Sequence, residues 1–333
     1  MQVKRSVKYF SWLMLLLFIM NLIFFSYGRQ LLEPVSSKAI ADEIIEIESG
    51  SSLEKVTNQL DEKGLIKDPL AFKVYLRIRG LATKIQAGYY KLSSNMSAIE
   101  IADKLVKGKA ATYKVTLPEG ITIEELGDLL AQRGLNKERF LSLAKDKEFN
   151  LFSTPSTVKY NLEGFLFPET YQIPYGADEE EIIDIMLAEF KRRVKALEEE
   201  IEKSEYSLYE IITIASLIQA EAQIEDEAPI IASVIYNRLN RGMKLQLDAT
   251  VQYSLPERKS RLLYSDLKVD SEYNTYQNSG LPPGPINNPG IDMIKAALNP
   301  ETTDYLYYVV TEKGRHTFTK SYQEHLEVQR GLK

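Results

Sequence analysis

The stretch SLYEIITIASLIQAE, residues 207–221, decides how the second half of the chain folds. Ser207 followed by Glu210 three positions later is a capping box, a pattern that satisfies the free amide groups at the start of a helix. The apolar residues that follow predict a helix that is mostly buried. Glu221 lies three, four and seven positions after apolar residues of this helix, so its carboxyl group is predicted on an apolar stripe near the helix end.

The predicted surroundings of Glu221 bear on its protonation. A carboxyl group that loses hydration is less stable in its charged form, and its pKa rises from about 4.3 towards about 6 or 7. It then still holds a proton near neutral pH, as a general acid that protonates a leaving oxygen must. A helix that ends early, or an ion pair with Arg238 or Arg241, would instead make Glu221 a structural residue. At this point both alternatives stay open.

The composition excludes several classes of protein. With 333 residues, 44% hydrophobic and 26% charged, the chain is long enough for about two globular domains. It has no cysteine, and its two histidines are His316 and His325, which excludes thiol nucleophiles and histidine-rich metal sites. We therefore expect no metal and no cofactor. The net charge of −6 includes three basic and no acidic residues in 1–28, so the remainder carries −9 and nucleic acid is not an expected partner.

The amino terminus predicts a membrane anchor. Residues 9–28 contain no charged side chain, and a helix of 20 residues spans roughly 30 Å, the thickness of the hydrocarbon core. Trp12 and Tyr27 fit interfacial anchors, and the basic residues before the span place the amino terminus in the cytoplasm. A cleaved signal peptide is the alternative, but its apolar region is shorter and ends in small residues. The bulk of the chain is therefore expected outside the cytoplasm.

The middle of the chain contains a degenerate repeat. A strand at 44–48, Gly50 and an amphipathic helix at 52–62 are followed 70 residues later by a strand at 113–117, Gly120 and a further helix. The first copy continues as helix, strand and helix, and this unit resembles the LysM fold, a sugar-polymer binding module. A small α+β spacer is the alternative. We predict an α+β chain made of a cytoplasmic tail (1–8), a transmembrane helix (9–28), a linker (29–42), a LysM-like subdomain (43–112), a second small α+β unit or connector (113–158) and a larger, mainly helical α+β catalytic domain (159–333).

Two segments after the Glu221 helix are rich in amide, hydroxyl and aromatic groups. They are MKLQLDATVQY at 243–253 and YNTY at 273–276, and such groups hydrogen-bond to sugars and stack on them. Turn formation and helix capping would account for the same residues without any ligand. The motifs of serine hydrolases, zinc proteases, P-loop enzymes and dinucleotide-binding enzymes do not occur in the sequence.

Several motifs together resemble the YceG-like family. The helix segment IASLIQAE (214–221) is followed by YNRL (236–239), LQLDATV (245–251), YNTY (273–276) and GLPPGP (280–285), and LEGFLFPET (162–170) precedes it. In this family the catalytic residue is the glutamate that closes the Ala-Ser-x-x-x-x-Glu segment, which here is Glu221. Many members carry a second glutamate two positions earlier, where this chain has Gln219.

The resemblance implies an enzyme of the bacterial cell membrane, anchored by a single helix, with its catalytic domain outside the cytoplasm. It would cleave peptidoglycan glycan strands internally, between N-acetylmuramic acid and N-acetylglucosamine, as a lytic transglycosylase that leaves 1,6-anhydro ends. Glu221 would act first as acid and then as base, and peptidoglycan synthases would be partners. We expect the sugar groove to be lined by Gln246, Thr250, Asn274, Tyr276 and Glu163.

Two other interpretations stay open. A muramidase could pair Glu221 with a second carboxylate, either Glu163 or Asp248, because a conventional glycosidase uses two. A non-catalytic, membrane-tethered scaffold could instead bind cell-wall glycan through the LysM-like region. Such a scaffold would not need a carboxylate on an apolar helix stripe.

Overall fold

The computed structural model describes residues 2–38, 41–149, 151, 154–311 and 314–331. The described residues form a mixed α+β structure, mostly helical, with three two-stranded sheets. The chain divides into two compact units. One comprises residues up to Tyr113 together with Gln172–Gly176, and the other comprises Lys114–Tyr171 together with the residues from Ala177 onward.

The first helix, α1 (Gln2–Leu31), carries the apolar amino-terminal stretch. Its segment Trp12–Leu31 has a mean hydropathy of 1.6, and none of it is buried in the protein. By length and composition this helix is a candidate membrane span, as the sequence predicts.

The first unit then continues with alternating strands and helices: β1 (Glu43–Ile47), α2 (Leu53–Glu62), α3 (Pro69–Ile78), β2 (Gly88–Leu92) and α4 (Ala98–Lys107). β1 and β2 are antiparallel, with Ile45 opposite Tyr90. The helices bury Leu60, Phe72 and Leu105 against this hairpin-like pair. The order strand, helix, helix, strand, helix agrees with the sequence analysis, while the likeness to LysM stays a prediction.

The boundary between the units falls within the second sheet. β3 (Thr112–Thr116) pairs with β4 (Thr170–Pro174). Between these strands lie α5 (Ile123–Ala131) and α6 (Lys137–Asp146), which contact each other. The second copy of the repeat therefore has its strand and its helix, but its strand finds a partner more than 50 residues away.

The helix α9 (Leu208–Glu221) is the centre of the second unit. The capping box is present, since the Glu210 amide donates to Ser207 Oγ at 3.3 Å and the Ser207 amide donates to Glu210 Oε2 at 2.9 Å. Every residue from 211 to 218 is buried. It contacts α10 (Ala228–Asn240), α11 (Asp248–Ser254) and α12 (Ile291–Leu298). The second unit also contains α7 (Glu179–Lys195), α8 (Glu198–Lys203), β5 (Tyr307–Val310), β6 (His316–Thr319) and α13 (Tyr322–Gly331).

Hydrogen bonds from α9 fix the proline-rich loop that follows residue 280. The Ile286 amide donates to Ser216 Oγ at 3.1 Å, and Asn287 Nδ2 donates to the Ser216 carbonyl at 2.9 Å. The next residue, Asn288, donates to the Ile121 carbonyl at 2.8 Å. Because these groups are buried, each bond avoids the cost of an unsatisfied polar group. The loop is therefore held rigidly beside the end of α9.

Candidate active site

Glu221 is the last residue of α9 and lines a cavity of about 360 Å³. The wall includes Gln246, two residues before α11, Asp248, the first residue of α11, and Tyr276. Further wall residues come from α10, β5 and α13, namely Arg238, Tyr307, Tyr308, Tyr322, His325 and Gln329. A carboxyl group, amides, a guanidinium group and aromatic rings thus meet in one concave site. Such a site can hydrogen-bond to the polar groups of a ligand and stack on its rings.

Burial raises the pKa of Glu221 to about 7, and the negative charge of Asp248 acts in the same direction. The nearby Tyr308 hydroxyl and the Arg238 guanidinium act in the opposite direction and lower this pKa. Glu221 is therefore partly protonated at neutral pH, in agreement with the expectation from the apolar stripe. It can donate a proton and, once it has done so, accept one.

Asp248 and Tyr276 form a pair in the wall of the cavity. The Tyr276 hydroxyl donates to Asp248 Oδ1 at 2.6 Å. The backbone amide of Tyr276 donates to Asn274 Oδ1 at 3.0 Å, which fixes the loop that carries the ring. Both side chains are thus held in place without a ligand.

Gln246 has an unusual backbone conformation. Its φ is +52°, and it is the one non-glycine residue with positive φ in the described part of the chain. Its amide donates to the Thr275 carbonyl at 3.2 Å, while its side chain is exposed in the cavity. The left-handed conformation costs on the order of 1 kcal/mol for a residue with a Cβ, and such strain concentrates at functional sites.

Two of the expected groove residues lie behind the cavity wall. Thr250 is fully buried, donates to the Leu247 carbonyl at 2.7 Å and lies 2.9 Å from Thr275 Oγ1. Asn274 is equally buried, and its Nδ2 donates to the Val269 carbonyl at 2.8 Å. Their polar atoms hold the loops that carry Gln246 and Tyr276.

Glu163 is also placed away from the cavity. It is 1% exposed, and its Oε1 accepts from the Ile123 amide, the first of α5, at 3.1 Å. Its Oε2 accepts from the Tyr253 hydroxyl at 2.9 Å. Burial raises its pKa to about 8, although these two bonds and Lys159 partly offset the rise. The structure therefore brings Glu221, Gln246 and Tyr276 together and places Glu163, Thr250 and Asn274 elsewhere.

Several residues of the cavity were not among the expected site residues, among them Arg238, Tyr308 and His325, whose charged or titratable groups lie close to Glu221 or to Arg238. Arg238 donates through Nε to the Leu306 carbonyl and through Nη1 to the Leu245 carbonyl, both at 2.6 Å, and so ties β5 to the loop before α11. The Tyr308 hydroxyl is buried and makes no hydrogen bond of standard geometry with the described residues. The same holds for Nδ1 of His325, whose pKa is lowered by burial and by Arg238. The motif YNRL (236–239), which contains Arg238, was a signal for this part of the wall.

Gln219, at the position of the second family glutamate, has a structural contact. Its Oε1 accepts from the Gly290 amide at 2.9 Å, at the start of α12. Among the described residues, no group of three or more histidine, aspartate or glutamate side chains is placed to hold a metal ion.

Known proteins resemble this chain over most of its length. The family model of the YceG-like family matches residues 45–331. An endolytic murein transglycosylase of Bacillus subtilis is 37% identical over 90% of this chain and 88% of its own length. One from Streptococcus pneumoniae is 31% identical over 90% of this chain, which spans 60% of that longer protein. A crystal structure of a YceG-like protein from Listeria monocytogenes, 35% identical, superposes with a TM-score of 0.61 over 88% of this chain and all of the other. The chain belongs to the YceG-like family.

Proposed function

We propose that this chain is an endolytic murein transglycosylase, a lyase that cuts peptidoglycan glycan strands internally. The observation that carries the proposal is the carboxyl group of Glu221, with a pKa raised to about 7, in a cavity lined by amide and aromatic groups. The relatives of that name, one of them matched over 88% of its length, support the same activity.

The chemistry needs one carboxyl group in two protonation states. Protonated Glu221 donates its proton to the glycosidic oxygen as the bond to the muramic acid C1 breaks. The N-acetyl group of the same sugar stabilises the cationic carbon. The Glu221 carboxylate then removes the proton of the C6 hydroxyl, whose oxygen bonds to C1 and closes the 1,6-anhydro ring. The proton returns to Glu221, and no water is consumed.

The neighbours of Glu221 have separate roles in this proposal. Gln246 and Tyr276, which line the same cavity, contact the sugar. Thr250 and Asn274 act indirectly, because their hydrogen bonds hold the loops that carry those two residues. Glu163 positions α5 through the Ile123 amide.

The second candidate is a muramidase that uses two carboxylates. It is favoured by one observation, that Asp248 lines the same cavity as Glu221. Glu163 does not line this cavity and is not a suitable second carboxylate. In a muramidase, the second group would activate water or form a covalent intermediate, and the products would have reducing ends.

The location of the enzyme is a further part of the proposal. The α1 helix crosses the bacterial cell membrane once with its amino terminus inside, because the basic residues precede the apolar span. The rest of the chain then meets the nascent strands outside the cytoplasm, where peptidoglycan synthases are partners. The LysM-like subdomain would bind glycan there.

The test is digestion of peptide-stripped glycan strands by the full chain in detergent, followed by mass spectrometry. We expect products with anhydro ends, which are one water lighter than reducing ends. Glu221→Gln should abolish cleavage without unfolding the protein, while Glu225→Gln, which changes an exposed carboxylate outside the cavity, should be fully active. Full activity of Glu221→Gln would remove the assignment of the acid, and reducing ends alone would favour the muramidase.

A further inference from the structure

A second cavity, of about 450 Å³, lies beside the carboxyl end of α9. Its walls include Gln219 and Ala220 of α9, Ala249 and Tyr253 of α11, and Asn287 of the loop that α9 holds. The reaction described above does not use any of these residues.

The two cavities lie on different sides of the same helix end. Ala220 and Glu221 are neighbours in the chain, as are Asp248 and Ala249, yet each pair divides between the two cavities. Side chains two positions apart on a helix point about 200° apart, so Gln219 and Glu221 project in nearly opposite directions. A polymer that crosses the end of α9 would therefore contact both cavities.

The second cavity contains polar atoms that have no partner in the described chain. Asn287 is 4% exposed, and its Nδ2 donates to the Ser216 carbonyl, but its buried Oδ1 accepts no hydrogen bond. Gln219 accepts from Gly290 through Oε1, which leaves its Nε2 available as a donor. The Gln219 Nε2 donor matches the C=O of an acetamido group, whereas the buried Oδ1 of Asn287 can accept from the N–H only after the Asn287 side chain moves. The ring of Tyr253 also lines this cavity, with Lys159 Nζ over the ring at 5.2 Å from its centroid.

The charges of this cavity select against an anionic ligand. Its two cations are already paired, Lys159 with Glu124 at 2.9 Å and Arg258 with Glu125 at 3.8 Å. Glu119 has no ion-pair partner among the described residues, and burial raises its pKa. A free carboxylate entering here would meet a surplus of negative charge. An uncharged ligand is therefore favoured over an anionic one.

We propose that this cavity is a second sugar subsite, which holds an uncharged N-acetylated sugar of the same strand, on one side of the bond that Glu221 cleaves. The inference rests on the proposed function. It supplies a physical reason for cleavage inside a strand, because a strand that fills both cavities must continue past the reacting bond.

The first test compares long strands with the shortest oligosaccharide that the full chain cleaves. Ala249→Trp should fill the second cavity and raise KM for long strands about tenfold. KM and kcat for the short substrate should stay within about twofold of the values for the unmodified chain. Ala131→Trp is the matched control, since Ala131 is exposed on α5 and lines neither cavity. If Ala249→Trp lowers the melting temperature strongly, Leu255→Trp, at the other end of α11 in the same wall, replaces it.

The second test is binding of N-acetylglucosamine oligomers to Glu221→Gln, measured by calorimetry, with deacetylated cationic oligomers as comparison. Adding Ala249→Trp to Glu221→Gln should weaken binding of the acetylated oligomer at least fivefold. Glu221→Gln alone should bind the acetylated oligomer more tightly than the cationic one. An unchanged length preference and unchanged binding in Ala249→Trp would overturn the subsite while leaving the cleavage mechanism intact. Tighter binding of the cationic oligomer would show that the acidic groups select the ligand and would also overturn it. Cleavage by Glu221→Gln would instead contradict the assignment of Glu221 as the acid in the proposed function.

Discussion

The protonation of Glu221 depends on three side chains around its carboxyl group, and this dependence can be measured. Because the acid must be protonated, kcat/KM should fall as the pH rises through about 7, the value to which burial raises its pKa. Asp248 raises that pKa, so Asp248→Asn should shift the alkaline limb to lower pH. The Tyr308 hydroxyl lowers it, so Tyr308→Phe should shift the limb to higher pH.

The pH profile of kcat/KM for these variants is the measurement, with the unmodified chain alongside. Shifts of a few tenths to about one pH unit are expected. Shifts of both variants in the same direction would contradict the electrostatic account. An alkaline limb near pH 5 in the unmodified chain would show that Glu221 is hydrated.

The same pKa predicts an effect on stability. The folded pKa of Glu221 is raised above the value of about 4.5 for an exposed glutamate, so its contribution to stability is complete below about pH 4.5 and is lost as the pH rises through 7. Glu221→Gln carries no charge and avoids this loss. It should match the unmodified chain at pH 4 and be more stable by about 1 to 3 kcal/mol at pH 8. Denaturant unfolding at both pH values would reveal an inactive but stabilised variant, and equal stability at pH 8 would contradict the burial argument.

The backbone strain at Gln246 permits a test of its side chain. Gln246→Gly should relieve the positive φ and keep or raise the melting temperature, with a gain of up to about 1 kcal/mol. If the amide contacts sugar, cleavage should nevertheless fall about tenfold or more. Gln246→Asn keeps an amide and tolerates the left-handed conformation, so it should retain more activity than the glycine variant. Equal activity of all three proteins would assign Gln246 to the loop structure alone.

The sequence indicated only part of this site, for a physical reason. Helical spacing correctly predicted that Glu221 lies beside apolar residues, because spacing within one helix is a local property of the sequence. Gln246 and Tyr276 were predicted because amide and aromatic side chains in loops are suited to bind sugars. The wall formed by Arg238 and His325 depends on contacts between distant parts of the chain, which spacing does not encode. The same limit explains why Asn274, an equally polar loop residue, turned out to be buried behind the wall.

Among the elements, α5 depends on a buried carboxyl group of another segment. Glu163 accepts from the Ile123 amide and from the Tyr253 hydroxyl, and both donors would lack partners without it. Glu163→Ala should therefore destabilise the protein by about 2 to 4 kcal/mol. Glu163→Gln keeps an acceptor and resembles the neutral form that a pKa of about 8 favours at neutral pH. It should cost less than about 1 kcal/mol.

Chemical denaturation of the two Glu163 variants at pH 7 tests this role. The prediction also has a pH dependence, since stability from the raised pKa is complete below about pH 4.5 and is lost as the pH rises through 8, so Glu163→Gln should be the more stable protein at pH 9. Comparable losses in both variants would mean that the negative charge itself matters. A full loss of cleavage by stably folded Glu163→Gln would indicate a chemical role.

The helices were predictable where a cap and an apolar period coincide. The helix α9 begins at the capping box of Ser207 and Glu210, as predicted. The next helix, α10 (Ala228–Asn240), follows a 3-10 turn at Glu225–Glu227, and Pro229 suits its first turn. The pairing of β3 with β4 was not predictable, because strand partners far apart in sequence depend on the packing of everything between them.

At the scale of the whole molecule, α1 differs from the other helices in its surroundings. From Trp12 to Leu22, each large apolar side chain that the structure describes has about half or more of its surface exposed. In water, such a surface would favour aggregation. Removing this helix should therefore release the protein from membranes. The truncation must spare Leu32, because its carbonyl accepts from the Ala98 amide at 2.9 Å and its side chain packs on the core of the first unit.

A chain that begins at Gln30 should accordingly be soluble without detergent, melt within a few degrees of the full chain and cleave dissolved glycan strands with an unchanged kcat. The full chain should sediment with membranes and leave them only in detergent, since about 20 apolar residues are transferred into lipid. Beginning the chain at Asp42 instead would remove the Leu32 contacts and should lower the melting temperature further. Release of the full chain by high salt or alkaline carbonate would contradict a membrane-spanning helix, and loss of kcat in the Gln30 protein would show that the helix contributes more than attachment.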